Sequence, residues 1–349
     1  MNSSSLSKSD PRLDALRQWL NLLPDALGIK PDTLAPASGD ASFRRYFRIQ
    51  SERGALIVMD APPPDEDCHP FVQIAAILSQ AGLNVPAIFA QDTTQGFLLL
   101  SDLGRQTYYD AIQMGLDGAD LQTRYRQALH ALVQIQSADT LSLPVYDQSR
   151  LLNELALFPH WYIGIHCGVT LDADQCAMLE RTFALLTADN AQQPQVFVHR
   201  DFHSPNLMIN EAGADQPPGI IDFQDALAGP ISYDIASLVM DARTTWEEPQ
   251  QLDWAIRYWE IARAASLPVP TEFSQFHRQY EWMSLQRNLR ILGVFARLSH
   301  RDAKHHYLAH LPRVQTYVRQ VASRYSVFFP LIRLLDIVEQ RPTRTGFSF

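Results

Sequence analysis

A short stretch near the middle of the chain holds three side chains whose types and spacing fit phosphoryl transfer. The segment at 199–206 reads HRDFHSPN, which sets Asp201 and Asn206 five positions apart, and a second carboxylate, Asp222, follows in the run IIDF at 220–223. In this chemistry one carboxylate accepts the proton of the attacking hydroxyl, while an amide and another carboxylate hold magnesium on the nucleotide phosphates. The sequence therefore predicts Asp201 as the catalytic base and Asn206 and Asp222 as ligands of Mg²⁺.

Short apolar runs around these residues predict the strands that would bring them together. Residues 195–198 and 207–209 have the composition of buried strands, and the turn signal NEAG at 210–213 separates the second run from the apolar residues 219–221. Because a strand, a turn and a returning strand reverse the chain, we expect Asp222 to lie beside Asn206.

A zinc centre is the competing interpretation of the same segment. His199, Asp201 and His203 alternate along the chain, as ligands of a metallohydrolase can. Zinc would require a third or fourth ligand of matching kind, and the other histidines form no partner motif. We therefore prefer a structural role for His199, in which it orders the loop through hydrogen bonds to the backbone.

Length, charge and composition restrict the class of protein. A chain of 349 residues is long enough for two lobes, and its net charge of -9 argues against a nucleic-acid-binding surface. Three cysteines imply no disulfide framework. The N-terminus lacks the apolar core of a secretory signal, and no apolar run approaches the roughly 20 residues that span a bilayer. These features predict a cytoplasmic protein without a membrane partner. ATP is available in that compartment.

The first hundred residues have the pattern of a small sheet with helices. We expect helices at 11–23 and 69–81, and strands at 43–49, 55–59 and 96–100. The small residues from 36 to 42 predict a turn whose backbone amides can approach phosphates closely. The residues predicted to contact the nucleotide are Gly39, Asp40, Ala41, Ser42, Phe43 and Arg44 in this turn, and Leu100 and Asp102 in the crossing between lobes.

Beyond residue 105 the pattern becomes helical. Apolar residues at helical spacing predict helices at 121–136, 149–166 and 171–187. Further helices are expected from residue 233 onward, at 249–265, 271–299 and 306–340. The prediction is an α+β fold of two lobes, with a small antiparallel-sheet lobe at 1–102 that binds nucleotide and a larger helical lobe at 103–349 that carries the catalytic loop and the substrate site.

Together these features resemble the protein-kinase-like fold and, within it, the aminoglycoside phosphotransferase superfamily of small-molecule kinases. Members carry His-x-Asp-x-x-x-x-Asn followed by Ile-Asp-Phe/Trp, as this chain does at 199–206 and 221–223. The segment GPISYDIA at 229–236 is similar to the next motif of the superfamily. The resemblance implies that Asp234 braces the catalytic loop and does not contact substrate.

Four further segments resemble a narrower group, the anomeric N-acetylmuramate/N-acetylglucosamine kinases of bacterial cell-wall recycling. They read SFRRYFR at 42–48, VMDAPP at 58–63, FLLLSDLG at 97–104 and DFQDA at 222–226. The resemblance implies that ATP phosphorylates an amino sugar at its anomeric hydroxyl to give a sugar 1-phosphate. That hydroxyl is more acidic than an ordinary alcohol, which suits a carboxylate base.

One departure from kinases of this fold is a missing lysine. The strand that usually carries it reads LIVMD at 56–60, and residues 31–100 contain no lysine. Another group must offset the phosphate charge, and Arg44 or Arg45 is the candidate. Because neighbours on a strand alternate faces, at most one of the two points at nucleotide. The missing lysine also leaves open the alternative that the protein binds nucleotide without catalysing phosphoryl transfer.

The sugar should be recognised by the helical lobe. Hydroxyl groups of a sugar suit carboxylates and amides, and its apolar faces suit an aromatic ring. Asp225, Glu154, Trp161 and Arg290 are the predicted contacts. A core position for Trp161 and a surface charge for Glu154 stay open as alternatives, as do aminoglycoside, choline and homoserine kinases as relatives with other acceptors.

Overall fold

The N-terminal part of the protein is a five-stranded antiparallel sheet that is covered on one face by a helix. The computed structural model describes residues 10–39 and 43–340. The strand order is β1-β2-β3-β5-β4. The elements are α1 (Pro11–Asn21), β1 (Ile29–Gly39), β2 (Arg45–Ser51), β3 (Gly54–Asp60), α2 (His69–Gln80), β4 (Ile88–Asp92) and β5 (Phe97–Ser101).

The register of β2 against β3 decides which side chains face the rest of the molecule. Arg48 pairs with Ile57, so both lie on the face turned towards the helical part, while Phe47 pairs with Val58 on the opposite face. On that opposite face Phe47 and Val58 form an apolar cluster with residues of α1, among them Leu16 and Leu20. Burial of this cluster holds α1 against the sheet.

A buried carboxylate adds ion pairs to the same contact. Asp60 at the end of β3 is fully buried and accepts hydrogen bonds from Arg12 Nε at 2.7 Å and from Arg45 Nη2 at 2.6 Å. Arg45 also pairs with Asp10. These partners place the Arg45 side chain on the α1 face of the sheet.

The remainder of the chain is mainly helical, with two small strand pairs. Antiparallel pairs form between β6 (Gln195–Val198) and β9 (Leu227–Pro230) and between β7 (Leu207–Met208) and β8 (Gly219–Ile220). The helices are α3 (Tyr108–Gln113), α4 (Gly118–Gln136), α5 (Gln148–Leu155), α6 (Ala173–Ala191), α7 (Tyr233–Val239), α8 (Glu248–Ala264), α9 (Phe273–His300), α10 (Leu311–Ala322) and α11 (Phe329–Val338). Among the described residues, no helix is long and apolar enough to cross a lipid bilayer.

The predicted α+β, two-lobe, protein-kinase-like architecture is confirmed. The sheet precedes the helical part in the chain, and β5 ends at Ser101. One continuous core nevertheless runs from the inner face of the sheet, where it includes Met59 and Leu100, into the helices. A domain boundary between residues 102 and 103 stays a prediction.

Two predicted helices are interrupted. The single helix expected at 149–166 consists of α5 followed by a π-helix, Phe158–His166. Pro159 stands in its first turn, where the chain cannot continue the hydrogen-bond pattern of α5. The long helix expected at 306–340 is also wrong, because Pro312 and Pro330 open the separate helices α10 and α11.

The sheet is larger than the sequence indicated. Residues 36–39, expected in a turn, belong to β1, which pairs with β2 from Ile29 to Gly39. β4 and β9 were not predicted, because their short segments lack a clear alternation of apolar and polar residues. The predicted turn can therefore begin only after Gly39, and residues 40–42 lie outside the part of the chain that the structure describes.

Candidate active site

The three residues singled out from the motif converge. Pairing of Leu207 with Ile220 brings the ends of β7 and β8 together, as the strand-turn-strand pattern predicted. The Asn206 Nδ2 atom donates to Asp222 Oδ2 at 3.1 Å and to the main-chain oxygen of Asp201 at 2.9 Å. One amide side chain thus connects the loop that carries Asp201 to the carboxylate that follows β8.

Asp234 lies on α7 and holds the loop that carries Asp201 in place. Its fully buried carboxyl group accepts hydrogen bonds from the backbone N–H of His199 at 2.7 Å and of Arg200 at 3.0 Å. Arg200 has a φ of 75°, in the left-handed region that side chains other than glycine rarely adopt. These contacts have the form that a bracing role requires, and they stabilise a strained turn next to Asp201.

The buried ring of His199 orders the other side of the loop. Its Nε2 atom donates to the carbonyl oxygen of Ile221 at 3.1 Å, directly before Asp222. Burial lowers the pKa of His199 to about 4, so the ring is neutral at neutral pH. Burial likewise raises the pKa of Asp234 to about 7, against the opposing effect of the two amide hydrogen bonds.

The Asp201 carboxylate is left available. It accepts no hydrogen bond from any described residue, and its side chain is half-buried. Burial opposes its ionisation, but His203 in its charged form, Arg290 and Arg287 outweigh burial and lower the pKa of Asp201. At neutral pH the two arginines still carry their charge, whereas burial lowers the pKa of His203 to about 4 and leaves that ring neutral. Asp201 is therefore ionised at neutral pH and open to an incoming hydroxyl.

The arrangement does not favour the zinc interpretation. The His203 ring lies beside Asn206 Nδ2 at 3.1 Å and Arg243 Nη1 at 3.3 Å, whereas the ring of His199 contacts Ile221. Within residues 10–39 and 43–340, no three His, Cys, Asp or Glu side chains come together to hold a metal ion.

The oxygens of Asn206 and Asp222 suit a hard divalent cation. The Nδ2 atom of Asn206 makes its hydrogen bonds, which leaves its Oδ1 atom without a partner among the described residues. Asp222 Oδ1 accepts from Gln224 Nε2 at 2.9 Å, and its backbone φ of 64° turns the carboxylate towards Asn206. An amide oxygen and a carboxylate side by side are the donor types that Mg²⁺ takes together with phosphate oxygens.

A cavity of about 410 Å³ lies between the sheet and the helical part. Leu100 and Asp102, predicted as nucleotide contacts, line it, and so do Asn206 and Asp222. The Asp102 carboxylate is already occupied by Arg48, whose Nε and Nη2 atoms lie 2.6 and 3.0 Å from its oxygens. Asp102 therefore shapes the cavity through this pair, which the sequence did not predict.

The predicted phosphate turn is only partly described. Asp40, Ala41 and Ser42 lie outside the described residues, and Gly39 is the last residue of β1. Phe43 is exposed, and its amide donates to Glu66 Oε1 at 3.2 Å. Arg44 forms an ion pair with Glu66 at 3.1 Å. Arg45, the alternative partner for phosphate, is held by Asp60 on the opposite face of the sheet, which leaves Arg44 as the candidate, although Arg44 does not line the cavity.

The predicted sugar contacts separate into two groups. Glu154 and Arg290 pair with each other at 3.0 Å, and Glu154 also accepts from Arg200 Nη2 at 2.6 Å and from the hydroxyl of Tyr146. Glu154 is thus neither a lone surface charge nor a free acceptor for a sugar hydroxyl. It instead positions two arginines near Asp201.

The other two predicted contacts have different surroundings. Trp161 lies in the π-helix and is half-buried against the core, which agrees with the alternative that it is a core residue. Asp225 is exposed and follows the Asp222 segment. Arg287 of α9, which the sequence did not single out, is buried beside this site. No local motif surrounds it, so only its helical spacing from Arg290 could have identified it.

Comparison with known proteins agrees with this geometry. Residues 33–273 match the phosphotransferase enzyme family. The chain is 44% identical to the N-acetylmuramate/N-acetylglucosamine kinase of Pseudomonas aeruginosa, over 95% of this chain and 98% of that protein. It is 42% identical to the kinase of the same name from Neisseria meningitidis, over 96% of this chain and 98% of that protein.

Solved structures show the same fold at low identity. A choline/ethanolamine kinase family protein from Mesorhizobium loti superposes with a TM-score of 0.63 at 12% identity, covering 93% of this chain and 99% of that one. The likeness concerns the fold alone. The family match and the identities of more than 40% over nearly the whole chain confirm the resemblance that the motifs indicated: the chain belongs to the phosphotransferase enzyme family and is a kinase-like phosphotransferase.

Proposed function

We propose that this phosphotransferase transfers the γ-phosphoryl group of ATP to the anomeric hydroxyl of N-acetylmuramate or N-acetylglucosamine, giving the sugar 1-phosphate. The observation that carries the proposal is the convergence of Asp201, Asn206 and Asp222 at the edge of the interlobe cavity. The relatives that share more than 40% of this sequence are named as kinases of these two sugars. An amino sugar is thus the favoured acceptor over an aminoglycoside, choline or homoserine.

Asn206 and Asp222 would hold Mg²⁺ through the amide and carboxylate oxygens described above. When bound, the ion neutralises charge on the nucleotide phosphates. The chain itself fixes these two side chains relative to Asp201, since Asn206 donates to both neighbours. Arg44 is our candidate for the role of the missing strand lysine, and the turn from Gly39 to Phe43 for the backbone contact with phosphate.

Asp201 would orient the acceptor hydroxyl and accept its proton. Because its pKa is lowered, Asp201 is a weak base that is ionised at neutral pH. This suits a loose phosphoryl-transfer transition state, in which position and charge matter more than the strength of the base. The lower pKa of an anomeric hydroxyl relative to other alcohols makes the proton transfer easier. Asp225 is proposed to contact the sugar.

The test is incubation of the protein with ATP, Mg²⁺ and a panel of acceptors. The panel contains both amino sugars, an aminoglycoside, choline and homoserine, and phosphorus NMR identifies the product. We expect phosphate on the anomeric carbon of one or both amino sugars. Turnover confined to another acceptor would contradict the proposed substrate, and binding of ATP without turnover of any acceptor would point to a nucleotide-binding protein without activity. A cytoplasmic location and the absence of nucleic-acid partners stay predictions.

A further inference from the structure

Arg287 carries a buried guanidinium group that contacts no counter-ion within the described part of the chain. It is 4% exposed, and its Nε atom is buried without a hydrogen-bond partner. None of its nitrogens donates to a described residue; its side chain instead lies over the ring of Tyr233, 5.4 Å from the centroid. Burying a charge without a hydrogen-bonded partner is costly, so such a group indicates an anion that is not part of the chain.

Arg290, one turn further along α9, adds a second positive charge at the same place. Its Nε atom lies 3.0 Å from Glu154, and its terminal nitrogens donate to no described residue. Both arginines lower the pKa of Asp201. Counting Arg200 with them, three guanidinium groups lie near three carboxyl groups, those of Glu154, Asp201 and Asp234. Burial raises the pKa of Asp234 to about 7, so its carboxyl group is partly protonated at neutral pH and the positive charge beside Asp201 is incompletely offset.

These two arginines lie on the acceptor side of the site. The nucleotide cavity is lined by Asn206 and Asp222 but by neither Arg287 nor Arg290. Both belong to α9 of the helical part and act electrostatically on Asp201, the carboxylate that would receive the acceptor hydroxyl. An anion held there would therefore belong to the acceptor and not to the nucleotide.

We infer that Arg287 and Arg290 bind a carboxylate on the acceptor sugar. This inference rests on the proposed function. N-acetylmuramate is N-acetylglucosamine with a lactic acid ether on its ring, so the two sugars differ by one carboxylate. A guanidinium group recognises a carboxylate with two parallel hydrogen bonds, which gives both attraction and orientation. The pair would favour the acidic sugar, while the neutral sugar would bind through contacts to the shared ring.

The experiment compares three acceptors on four proteins. The acceptors are N-acetylmuramate, its lactyl amide, which lacks the charge, and N-acetylglucosamine. The proteins are the unaltered chain, Arg287→Gln, Arg287→Lys and the control Arg278→Gln. Arg278 lies on the same helix and packs on a tryptophan ring, but it pairs with Asp189 at 2.8 Å, away from Asp201. Initial rates give kcat and KM for each combination.

We expect Arg287→Gln to lower kcat/KM for N-acetylmuramate by about 10- to 100-fold, mainly through KM, because a charge-assisted hydrogen bond is lost. For the amide and for N-acetylglucosamine the change should be small. Arg287→Lys should retain part of the preference for N-acetylmuramate over the neutral acceptors. Lysine keeps the positive charge but cannot form the two parallel hydrogen bonds of a guanidinium group. Arg278→Gln should leave all three acceptors unchanged.

Two results would overturn the inference. The first is an equal loss for acidic and neutral acceptors in Arg287→Gln, which would place the arginine in phosphoryl transfer or in the core. The second is equal kcat/KM of the unaltered protein for N-acetylmuramate and for its amide. This comparison needs no variant, so it decides the question even when Arg287→Gln does not fold. Neither result touches the proposed sugar kinase activity. That activity fails only when the unaltered protein phosphorylates none of the three sugars, which would overturn both proposals.

Discussion

At the level of single residues, the carboxylate of Asp201, which we propose as the catalytic base, is kept ionised by its neighbours and accepts no hydrogen bond from the described residues. Asp201 gains this state from positive charges on α9 and on its own loop, in spite of burial. Asn206 contacts the main chain of Asp201 and leaves the carboxylate unblocked. The base is thereby positioned by its backbone, while its side chain stays free for the acceptor.

Replacing Asp201 by Asn should abolish most turnover while nucleotide still binds. The amide keeps the size of the side chain but cannot accept a proton, and positioned general bases contribute about 10²- to 10⁴-fold to rates. We expect kcat to fall within that range, and the dissociation constant for ATP, measured by calorimetry, to stay near that of the unaltered protein. Asp253→Asn, in an exposed pair on α8, is the control. Near-normal turnover in Asp201→Asn would remove the residue from its proposed role.

The pH dependence of the reaction should respond to Arg290. The pKa of Asp201 lies below its ordinary value of 3.8 partly because of this guanidinium group. Removing the positive charge in Arg290→Gln raises that pKa, so the base is protonated at a higher pH and activity is lost earlier as the pH falls. Profiles of kcat/KM with the neutral sugar should show the acid limb displaced to higher pH than in the unaltered protein. An acid limb at the same pH as in the unaltered protein, or at a lower pH, would contradict the assignment of Asp201 as a base whose pKa Arg290 lowers.

At the level of elements, strained segments lie where the site needs a sharp change of direction. Arg200 and Asp222 both have positive φ values; the first directly precedes the proposed base Asp201, and the second is itself a proposed ligand of Mg²⁺. Asp234 and His199 hold these turns through contacts to backbone atoms. The ring of Phe223, next to Asp222, lies 4.8 Å from that of Phe71 on α2, which connects the same turn to the sheet part of the molecule.

The π-helix depends on a close approach to α9. A Cβ atom added at Gly293 would lie 2.4 Å from the carbonyl carbon of Leu157, directly before the π-helix. Gly293→Ala should therefore destabilise the protein by about 1–3 kcal/mol or more, since overpacking a core displaces backbone. The control is Gly164→Ala inside the π-helix, where the added atom meets its nearest neighbour at an ordinary 3.4 Å. Urea denaturation measures both, and equal stabilities would show that α9 can move aside.

At the level of the whole molecule, the cleft is formed where the sheet meets the helical part, and a side-chain pair fixes its wall. Arg48 on β2 holds Asp102 and donates to the carbonyl oxygen of Gly104 at 3.0 Å. The continuous core beneath the cleft makes the two parts share buried surface, from Met59 in β3 to Phe223 in the catalytic segment. We therefore predict that nucleotide affinity depends on this contact between the sheet and the chain that crosses to the helical part.

Arg48→Gln should weaken nucleotide binding more than it slows the chemical step. Loss of the guanidinium group frees Asp102 and the crossing segment that lines the cavity. We expect the dissociation constant of ATP to rise by roughly 3- to 30-fold, less than the full effect of a lost charged hydrogen bond, because the pair acts on the nucleotide only through the shape of the cavity; the change in kcat should be smaller. Arg53→Gln, at the exposed turn between β2 and β3, should leave the affinity unchanged. Titration calorimetry distinguishes the two, and equal affinities would contradict a role of the pair in shaping the cavity.

The sequence was sufficient to predict that the three residues to which we assign the reaction lie together, because they are close along the chain, whereas their roles stay predictions. Asp201, Asn206 and Asp222 are joined by a short strand pair whose apolar runs are visible in the sequence, so their proximity follows from local structure. The two-lobe α+β fold followed from the change of pattern after residue 105. The interruption of the helix expected at 149–166 was harder to predict from the sequence, because the π-helix is stabilised by packing against α9 and not by its own periodicity.

Contacts across long sequence separations were decided only by the tertiary structure. Glu154 meets Arg290 across more than a hundred residues, Arg48 meets Asp102 across the sheet, and Arg45 turns to α1 because the register of β2 and β3 assigns it that face. The sequence names the residue types that carry the reaction, because chemistry and local backbone fix them. Charges that act through space, such as that of Arg287 beside Asp201, depend on how whole elements pack, and no local pattern encodes that packing.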